Sequence, residues 1–126
     1  MLRTKTLLND HPKRGELWIV DLNSPGRDYA TEIVKTRPAV ILNFRYDRFG
    51  CAVVIVVPLS SRIDLEDDAT FLIRPTQQNG LRSTGIAVTD HLRSVDPRRC
   101  RYRIGRLDDS TFLKLREAAV LLLTTA

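Results

Sequence analysis

The residue of this chain best placed for phosphate chemistry is Arg37, which stands directly before Pro38 at the start of an apolar run. Proline biases the preceding residue toward an extended backbone and away from helix, so the Arg37 side chain is expected at the mouth of a strand. There, a planar guanidinium can hold a phosphate through two parallel hydrogen bonds. The alternative is a surface ion pair between Arg37 and Glu32, which would contribute little to stability.

The charge of the chain is concentrated late in the sequence. The 126 residues suit one domain, with 20 Lys and Arg against 15 Asp and Glu, and a chain of this length buries about two thirds of its unfolded surface. Residues 93–106 contain six arginines and a single acid, Asp96. This concentration suits either a groove for a polyanion or a solvated arginine-rich face, and both alternatives stay open.

Cysteine and histidine usage argues against metal chemistry. Cys51 and Cys100 form no CxxC pair, and His11 and His91 add no metal-ligand spacing, so we expect no metal, no cofactor and no disulfide framework. Both cysteines are expected in the core. The N-terminus lacks the apolar core of a signal peptide, and the longest apolar run, residues 51–59, is too short for a membrane span. A cytoplasmic protein without membrane association is therefore predicted.

Several short strands should position Arg37. Short apolar runs rich in β-branched residues predict strands at residues 16–22, 38–44, 51–58, 70–74 and 85–90. The second and third of these runs are joined through a polar stretch ending in Gly50, which predicts a central hairpin. Residues 1–12 have weak patterning and predict a mobile tail or a short docking segment. The long loop of residues 23–36 leads up to Arg37 and is a candidate functional loop.

A single helix is predicted at the C-terminus, beginning after a cap at Asp108 or Asp109. The apolar residues that share one face of it are Phe112, Leu115, Ala119 and Leu122. This face should pack on the sheet, so the pattern favours an antiparallel β-barrel with a C-terminal α-helix over a parallel α/β sheet. The apolar end, residues 120–123, is expected either beneath the barrel or at a dimer contact.

Five segments in order resemble the MazF/PemK family of toxin endoribonucleases from bacterial toxin-antitoxin pairs. They are KRGELWIVDLN at 13–23, Glu32 with KTRPAVIL at 35–42, VVPLSS at 56–61, NGLRSTGIAVTDHLRSVD at 79–96, and IGRLDDSTFLKLREAAVLLL at 104–123. The resemblance makes residues 13–126 a MazF/PemK-like toxin domain. It implies an SH3-like barrel, a homodimer, an antitoxin partner and contact with DNA only through the antitoxin complex.

The resemblance also implies an enzyme that cleaves single-stranded RNA such as mRNA at short sequence motifs without a metal. The 2′-hydroxyl would attack the phosphate, leaving a 2′,3′-cyclic phosphate and a 5′-hydroxyl. By position, Arg37 matches the catalytic arginine, Ser60 a hydroxyl residue after the third strand, and Glu32 the acid of the preceding loop, whereas Asp90 matches an acid implicated in some members. Residues assigned to RNA binding are Lys35, Thr36, Ser61, Arg62, Arg82, Thr84, His91 and Arg93.

Three departures from the family pattern leave the acid-base assignment open. Ser60 stands where the family mostly has threonine, which keeps the hydroxyl but loses the methyl group that restrains the rotamer. Thr31 and Val88 replace a histidine and an arginine that some members carry. The general base is therefore left between Glu32 and Asp90, and a family member that has lost activity and only binds RNA or antitoxin remains an alternative.

A second alternative is a poison that binds gyrase, as the related CcdB toxins do through a C-terminal Trp-Gly-Ile ending. This chain ends in Leu-Leu-Leu-Thr-Thr-Ala and its one tryptophan is Trp18, which disfavours that function. His91, at a position where many relatives have glutamine, is a conceivable proton shuttle, although a structural hydrogen bond is favoured. Trp18 and Tyr102 could stack on unpaired bases, but aromatic residues inside strands more often belong to the core, and we assign Trp18 to packing.

Overall fold

The computed structural model describes residues 11–23, 35–62 and 71–124. Most of the predicted loop at residues 23–36, including Glu32 and Thr31, lies outside these ranges. So do residues 1–10 of the predicted tail.

Seven strands and one helix make up the described part of the fold. In chain order they are β1 (Glu16–Asp21), β2 (Thr36–Tyr46), β3 (Ala52–Ser60), β4 (Phe71–Ile73), β5 (Gly85–Ala87), β6 (Arg93–Val95), β7 (Cys100–Arg106) and α1 (Asp109–Thr124). Short 3₁₀ turns at Thr89–His91 and Pro97–Arg99 flank β6. The predicted mainly β fold with a C-terminal helix is confirmed.

All strand pairs are antiparallel, and the sheet order is β4-β5-β3-β2-β1-β7. β6 and β5 lie along the same edge of β3. β6 pairs with residues 54–56 of β3, and β5 pairs with residues 59–60 of β3. The sheet curls into a half-barrel, which is the predicted SH3-like antiparallel architecture.

The central hairpin of β2 and β3 forms the body of the sheet. Its register pairs Ala39 with Pro58 and Tyr46 with Ala52, with one irregularity at Leu42. Both strands are near-continuous apolar runs because the sheet is covered on both faces, so alternate residues enter different clusters. The connecting turn is closed by the Asp47 carboxylate, which accepts hydrogen bonds from backbone N–H groups of the turn.

Two hydrophobic clusters lie on the two faces of the sheet. The first contains Leu17, Val40, Val57, Leu59, Ile73, Ala87, Leu107 and Leu115. The second contains Val20, Leu22, Ala39, Ile41, Val54, Val56, Val95 and Cys100, with Trp18 packed against it. Consecutive residues of β1 and β2 alternate between the clusters, so the packing of each strand fixes its register. The assignment of Trp18 to packing is confirmed.

Helix α1 covers the first cluster. Asp108 is its cap: the carboxylate accepts hydrogen bonds from the Thr111 N–H at 3.1 Å and the Thr111 hydroxyl at 2.6 Å. Leu115 and Ala119 are buried against the sheet, as predicted. The apolar end behaves differently, because Val120, Leu121, Leu122 and Leu123 are exposed rather than beneath the barrel.

Packing at the N-terminal end begins before Lys13. Pro12 is buried, and the His11 ring stacks on Phe44 with the ring centroids 4.2 Å apart. Phe44 in turn meets the ring of Tyr46 edge to face. The last two residues of the predicted tail therefore belong to the packed part of the chain.

The two cysteines differ from each other. Cys100 is buried in the second cluster, and burial raises the pKa of its thiol to about 11, so it stays protonated at neutral pH. Cys51 is exposed after the β2–β3 turn, so its predicted place in the core is wrong. In this turn the Cys51 backbone N–H donates a hydrogen bond to the Asp47 carboxylate, while the Cys51 side chain is exposed to solvent. Both thiols are free.

Candidate active site

Arg37 lies where β2 begins and is held there by β1, because Val20 pairs with Arg37 and Ile19 with Pro38. On the other side, the pairing of β2 with β3 ends at Ala39 and Pro58, and Ser60 at the end of β3 pairs with Ile86 of β5. Arg37 and Ser60 nevertheless line the same cleft, so the two principal predicted catalytic residues share one site near the ends of their strands.

The residue before this strand start has an unusual backbone. Lys35 has φ +78°, in the left-handed region that a non-glycine residue enters at a cost of about 1–2 kcal/mol. Its carbonyl accepts a hydrogen bond from the Leu22 N–H at 3.0 Å, so β1 and β2 stay tied together one residue beyond their pairing. This contact fixes the direction from which the chain enters Arg37.

Arg37 and Ser60 open onto a cleft of about 730 Å³. Three cationic residues line it, Lys35, Arg37 and Arg82, together with five hydroxyl residues, Thr36, Ser60, Ser61, Ser83 and Thr84. Ile19 of β1 and Tyr102 and Ile104 of β7 also line it. The lining that the structure describes thus has three cationic groups and no carboxylate, a composition that suits a phosphate-bearing ligand.

The Ser60 hydroxyl is partly engaged in a local turn. Its oxygen accepts a hydrogen bond from the Arg62 backbone N–H at 3.2 Å, the arrangement expected of a turn serine. A hydroxyl has one proton to donate besides its two acceptor sites. The turn therefore orients Ser60 and leaves its proton available to a ligand oxygen in the cleft.

One wall of the cleft is the loop of residues 80–85, which is held by the turn before it. Asn79 is buried, and its side-chain oxygen accepts hydrogen bonds from the Thr76 and Leu81 N–H groups while its amide donates to the Arg74 carbonyl. The Arg106 N–H donates to the Gln78 carbonyl at 3.0 Å, which ties this turn to β7. Arg82 and Thr84 are thereby presented from a braced loop.

The structure gathers seven of the predicted site residues in this one cleft. They are Lys35, Thr36, Arg37, Ser60, Ser61, Arg82 and Thr84. Asp90 and His91 lie instead on the 3₁₀ turn Thr89–His91, which packs against α1. Arg93 lies in β6, the Arg62 side chain is exposed beyond the end of β3, and Glu32 is outside the described residues. The chemical roles of all these residues stay predictions.

Several lining residues were missed from the sequence, among them Ser83 and Ile19, and Tyr102 was considered there only as a base-stacking residue that was not favoured. Ser83 lies between Arg82 and Thr84, and the polar run of residues 82–84 was a signal that could have found it. Ile19 and Tyr102 face the cleft from β1 and β7. No local pattern separates these two from ordinary core residues of strands.

The arginine-rich run of residues 93–106 has a structural role that differs from both a polyanion groove and a solvated face. Arg99 donates to the carbonyl oxygens of Asp21 at 3.2 Å and Asn23 at 2.7 Å, and Arg93 donates to that of Leu22 at 3.4 Å. Three successive carbonyls at the end of β1 are thus held by guanidinium groups. The loop toward Arg37 starts at this point, so the run stabilises the base of the site.

Other arginines of the run pair with carboxylates. Arg101 contacts the Asp21 carboxylate at 2.8 Å, and the Asn23 N–H, followed by Arg101, lowers the pKa of Asp21. Further ion pairs join Arg98 to Asp96, Arg103 to Glu16 and Arg106 to Asp109. Much of the positive charge of this run is therefore compensated inside the protein.

Arg99→Gln should lower the free energy of unfolding by about 2 kcal/mol, because two hydrogen bonds from a charged donor are lost at the end of β1. Arg98→Gln is the matched control, since it removes the same charge from the same 3₁₀ turn. Its pair with Asp96 is exposed to solvent and should contribute much less to stability. Urea denaturation measures both variants, and equal losses would contradict the bracing role of Arg99.

The described ranges contain no group of three or more His, Cys, Asp or Glu residues able to hold a metal ion. No helix there has the length and apolar character to cross a membrane.

The curled antiparallel sheet, its terminal helix and the cleft at the strand ends define a class of small mainly β proteins with a cationic cleft. Residues 13–123 match the family model described as PemK-like, MazF-like toxin of type II toxin-antitoxin system. The chain therefore belongs to the PemK/MazF toxin family.

Solved structures agree with this fold. The chain is similar to MazF (Form-I) from Deinococcus radiodurans, with TM-score 0.67 and 19% identity over 91% of this chain and 98% of that one. It is also similar to a chain of MazE-MazF (Form-II) from Deinococcus radiodurans, with TM-score 0.62 and 18% identity over 92% of this chain and 98% of that one. Comparison with curated proteins gives no match.

Proposed function

We propose that this toxin is a metal-independent endoribonuclease that cleaves single-stranded RNA at short sequence motifs. The observation that supports the proposal is that Arg37 and Ser60 line one cleft, together with other cationic and hydroxyl side chains. Membership of the PemK/MazF family supports the same function.

The proposed reaction uses the nucleophile that RNA itself supplies. The 2′-oxygen attacks phosphorus, the bond to the 5′-oxygen breaks, and a 2′,3′-cyclic phosphate and a 5′-hydroxyl are left. The proton of the 2′-hydroxyl passes to a base, and the leaving 5′-oxygen receives a proton. Positive donors are needed where charge develops on the non-bridging oxygens, and no metal is required for that.

Each cleft residue has a role in this scheme. Arg37 gives two parallel hydrogen bonds to the non-bridging oxygens, and Ser60 donates one more. Lys35 and Arg82 attract the neighbouring phosphates. The proton acceptor is assigned to Glu32, which belongs to the loop that leads to Arg37, with Asp90 as the alternative. Asp90 is exposed on the turn Thr89–His91, away from the described cleft lining.

The partners proposed for this chain are RNA, an antitoxin and a second copy of itself, in the cytoplasm and without a cofactor. One of the similar structures is a MazE-MazF complex, which supports an antitoxin partner. The exposed apolar end of α1 offers a surface for either protein partner. Contact with DNA is proposed only through the antitoxin complex.

The experiment that tests this function is digestion of single-stranded RNA by the purified protein in EDTA. Fragments with 5′-hydroxyl and cyclic phosphate ends are expected, and an oligonucleotide with 2′-deoxyribose at the cut position should resist cleavage because its nucleophile is missing. Cleavage of that oligonucleotide would contradict the mechanism. Intact RNA together with inhibition of gyrase supercoiling would instead support the CcdB-like alternative.

A further inference from the structure

Tyr102 is an aromatic residue that the strand leaves open to solvent inside the cleft. Its side chain is 58% exposed, although it lies in the middle of β7. It pairs directly with Ile19, which in turn pairs with Pro38 on the other side of β1. Tyr102 and Pro38 therefore lie two strand spacings apart, about 10 Å, with Arg37 next to Pro38.

Two irregularities in the β1–β7 pairing direct this side chain into the cleft. Val20 pairs with Cys100 and Ile19 with Tyr102, so Arg101 is an extra residue on β7. Residues two apart on a regular strand have their side chains on the same face. Because Arg101 is an extra residue, Cys100 and Tyr102 have theirs on opposite faces. Cys100 consequently enters the buried cluster on one face while Tyr102 lies in the cleft on the other. Ile104 is a second extra residue on the same strand.

The residues on either side hold Tyr102 in place. Arg101 pairs with the Asp21 carboxylate at 2.8 Å and Arg103 with that of Glu16 at 3.2 Å, so β7 is tied to both ends of β1. Trp18, by contrast, packs on the second cluster and donates its indole N–H to Glu16. Of these two aromatic residues, only Tyr102 presents its ring to the cleft that contains the predicted catalytic arginine.

We propose that Tyr102 is a stacking platform for an unpaired nucleobase of the RNA, beside the phosphate held by Arg37. This inference rests on the proposed function and adds to it a base-binding subsite. An aromatic ring accepts any base on its face, and such stacking is worth about 1–3 kcal/mol per base. The subsite therefore strengthens binding of unstructured RNA and excludes a base that remains paired in a duplex.

The test measures binding of a fluorescein-labelled, random-sequence single-stranded RNA in which every 2′-hydroxyl is methylated, so that it cannot be cleaved. Tyr102→Leu should weaken binding roughly 10- to 100-fold, whereas Tyr102→Phe keeps the ring and should bind within about twofold of the wild type. Tyr46→Leu is the matched control, because Tyr46 is similarly exposed, at 51%, but lies at the opposite end of β2. It should bind like the wild type.

The salt dependence separates stacking from phosphate contact. Lys35→Gln should reduce the slope of log affinity against log salt by about 1, whereas Tyr102→Leu should leave the slope unchanged. Wild-type binding by Tyr102→Leu, or an equal loss in Tyr102→Phe, would overturn the platform. If the wild type cleaves unmodified RNA while Tyr102→Leu binds normally, base stacking on Tyr102 is excluded and the endoribonuclease function stands. If the wild type neither binds nor cleaves RNA, both the stacking role and the endoribonuclease function are excluded.

Discussion

Arg37→Ala is expected to slow RNA cleavage by about two to three orders of magnitude, the loss seen when one donor to a developing oxyanion is removed. The physical reason is that the alanine variant leaves the charge on the attacked phosphate without its bidentate partner. Arg37→Lys keeps the charge but not the planar pair of donors, so it should recover only part of the rate. The rate is measured under single-turnover conditions on one labelled RNA.

The control for this variant lies on the same strand. Arg45 is exposed near the far end of β2, and Arg45→Ala removes the same charge from the same element. It should cleave at a rate within a few-fold of the wild type. If Arg37→Ala and Arg45→Ala lost equal activity, the effect of Arg37 would be general charge rather than a contact with the reacting phosphate.

Gly105→Ala is expected to lower the free energy of unfolding by about 3 kcal/mol or more, because the added methyl group has no room. A Cβ at this position would lie 2.4 Å from the Asn79 carbonyl carbon and 2.4 Å from the Gln78 carbonyl oxygen. These are backbone atoms of the turn that ties the cleft wall to β7, and they cannot rotate away. The variant should therefore also weaken RNA binding by the loop of residues 80–85.

Gly50→Ala is the matched control for this stability measurement. It also adds one methyl group, but nothing lies within 4 Å of the new Cβ, and only the positive φ of +78° adds strain. A cost of about 1 kcal/mol is expected from that backbone conformation. Urea denaturation of the two variants should separate them clearly, and equal losses would show that the turn shifts freely away from β7.

The parts of the fold that were predictable are those with an unbroken apolar period. The β2–β3 hairpin and α1 were found because their residues repeat at the spacing of a strand and of a helix. β7 was missed because its extra residues, Arg101 and Ile104, break the alternation on which a strand prediction depends. β6 was missed because three residues are too few for any period to show.

The candidate site was predictable to the extent that its residues sit at strand ends. Arg37 could be found because Pro38 marks where its strand starts, whereas Ser60 was singled out through the family resemblance, since its local pattern alone favours a turn serine. Tyr102 could not be placed, because its face depends on an irregular pairing with β1 that no local pattern encodes. The bracing role of Arg99 depends on carbonyl groups more than 70 residues away along the chain, which only the folded structure brings near.

Metal-independent cleavage of RNA by the cleft containing Arg37 can be measured by 5′-end mapping of one long RNA. Wild type, Arg37→Ala and Arg45→Ala, purified identically, are incubated with the RNA in EDTA. We predict cuts at a recurring short motif with 5′-hydroxyl ends for the wild type and Arg45→Ala, and loss of those cuts for Arg37→Ala. The same cuts at the same frequency with Arg37→Ala would show that Arg37 takes no part in the cleavage.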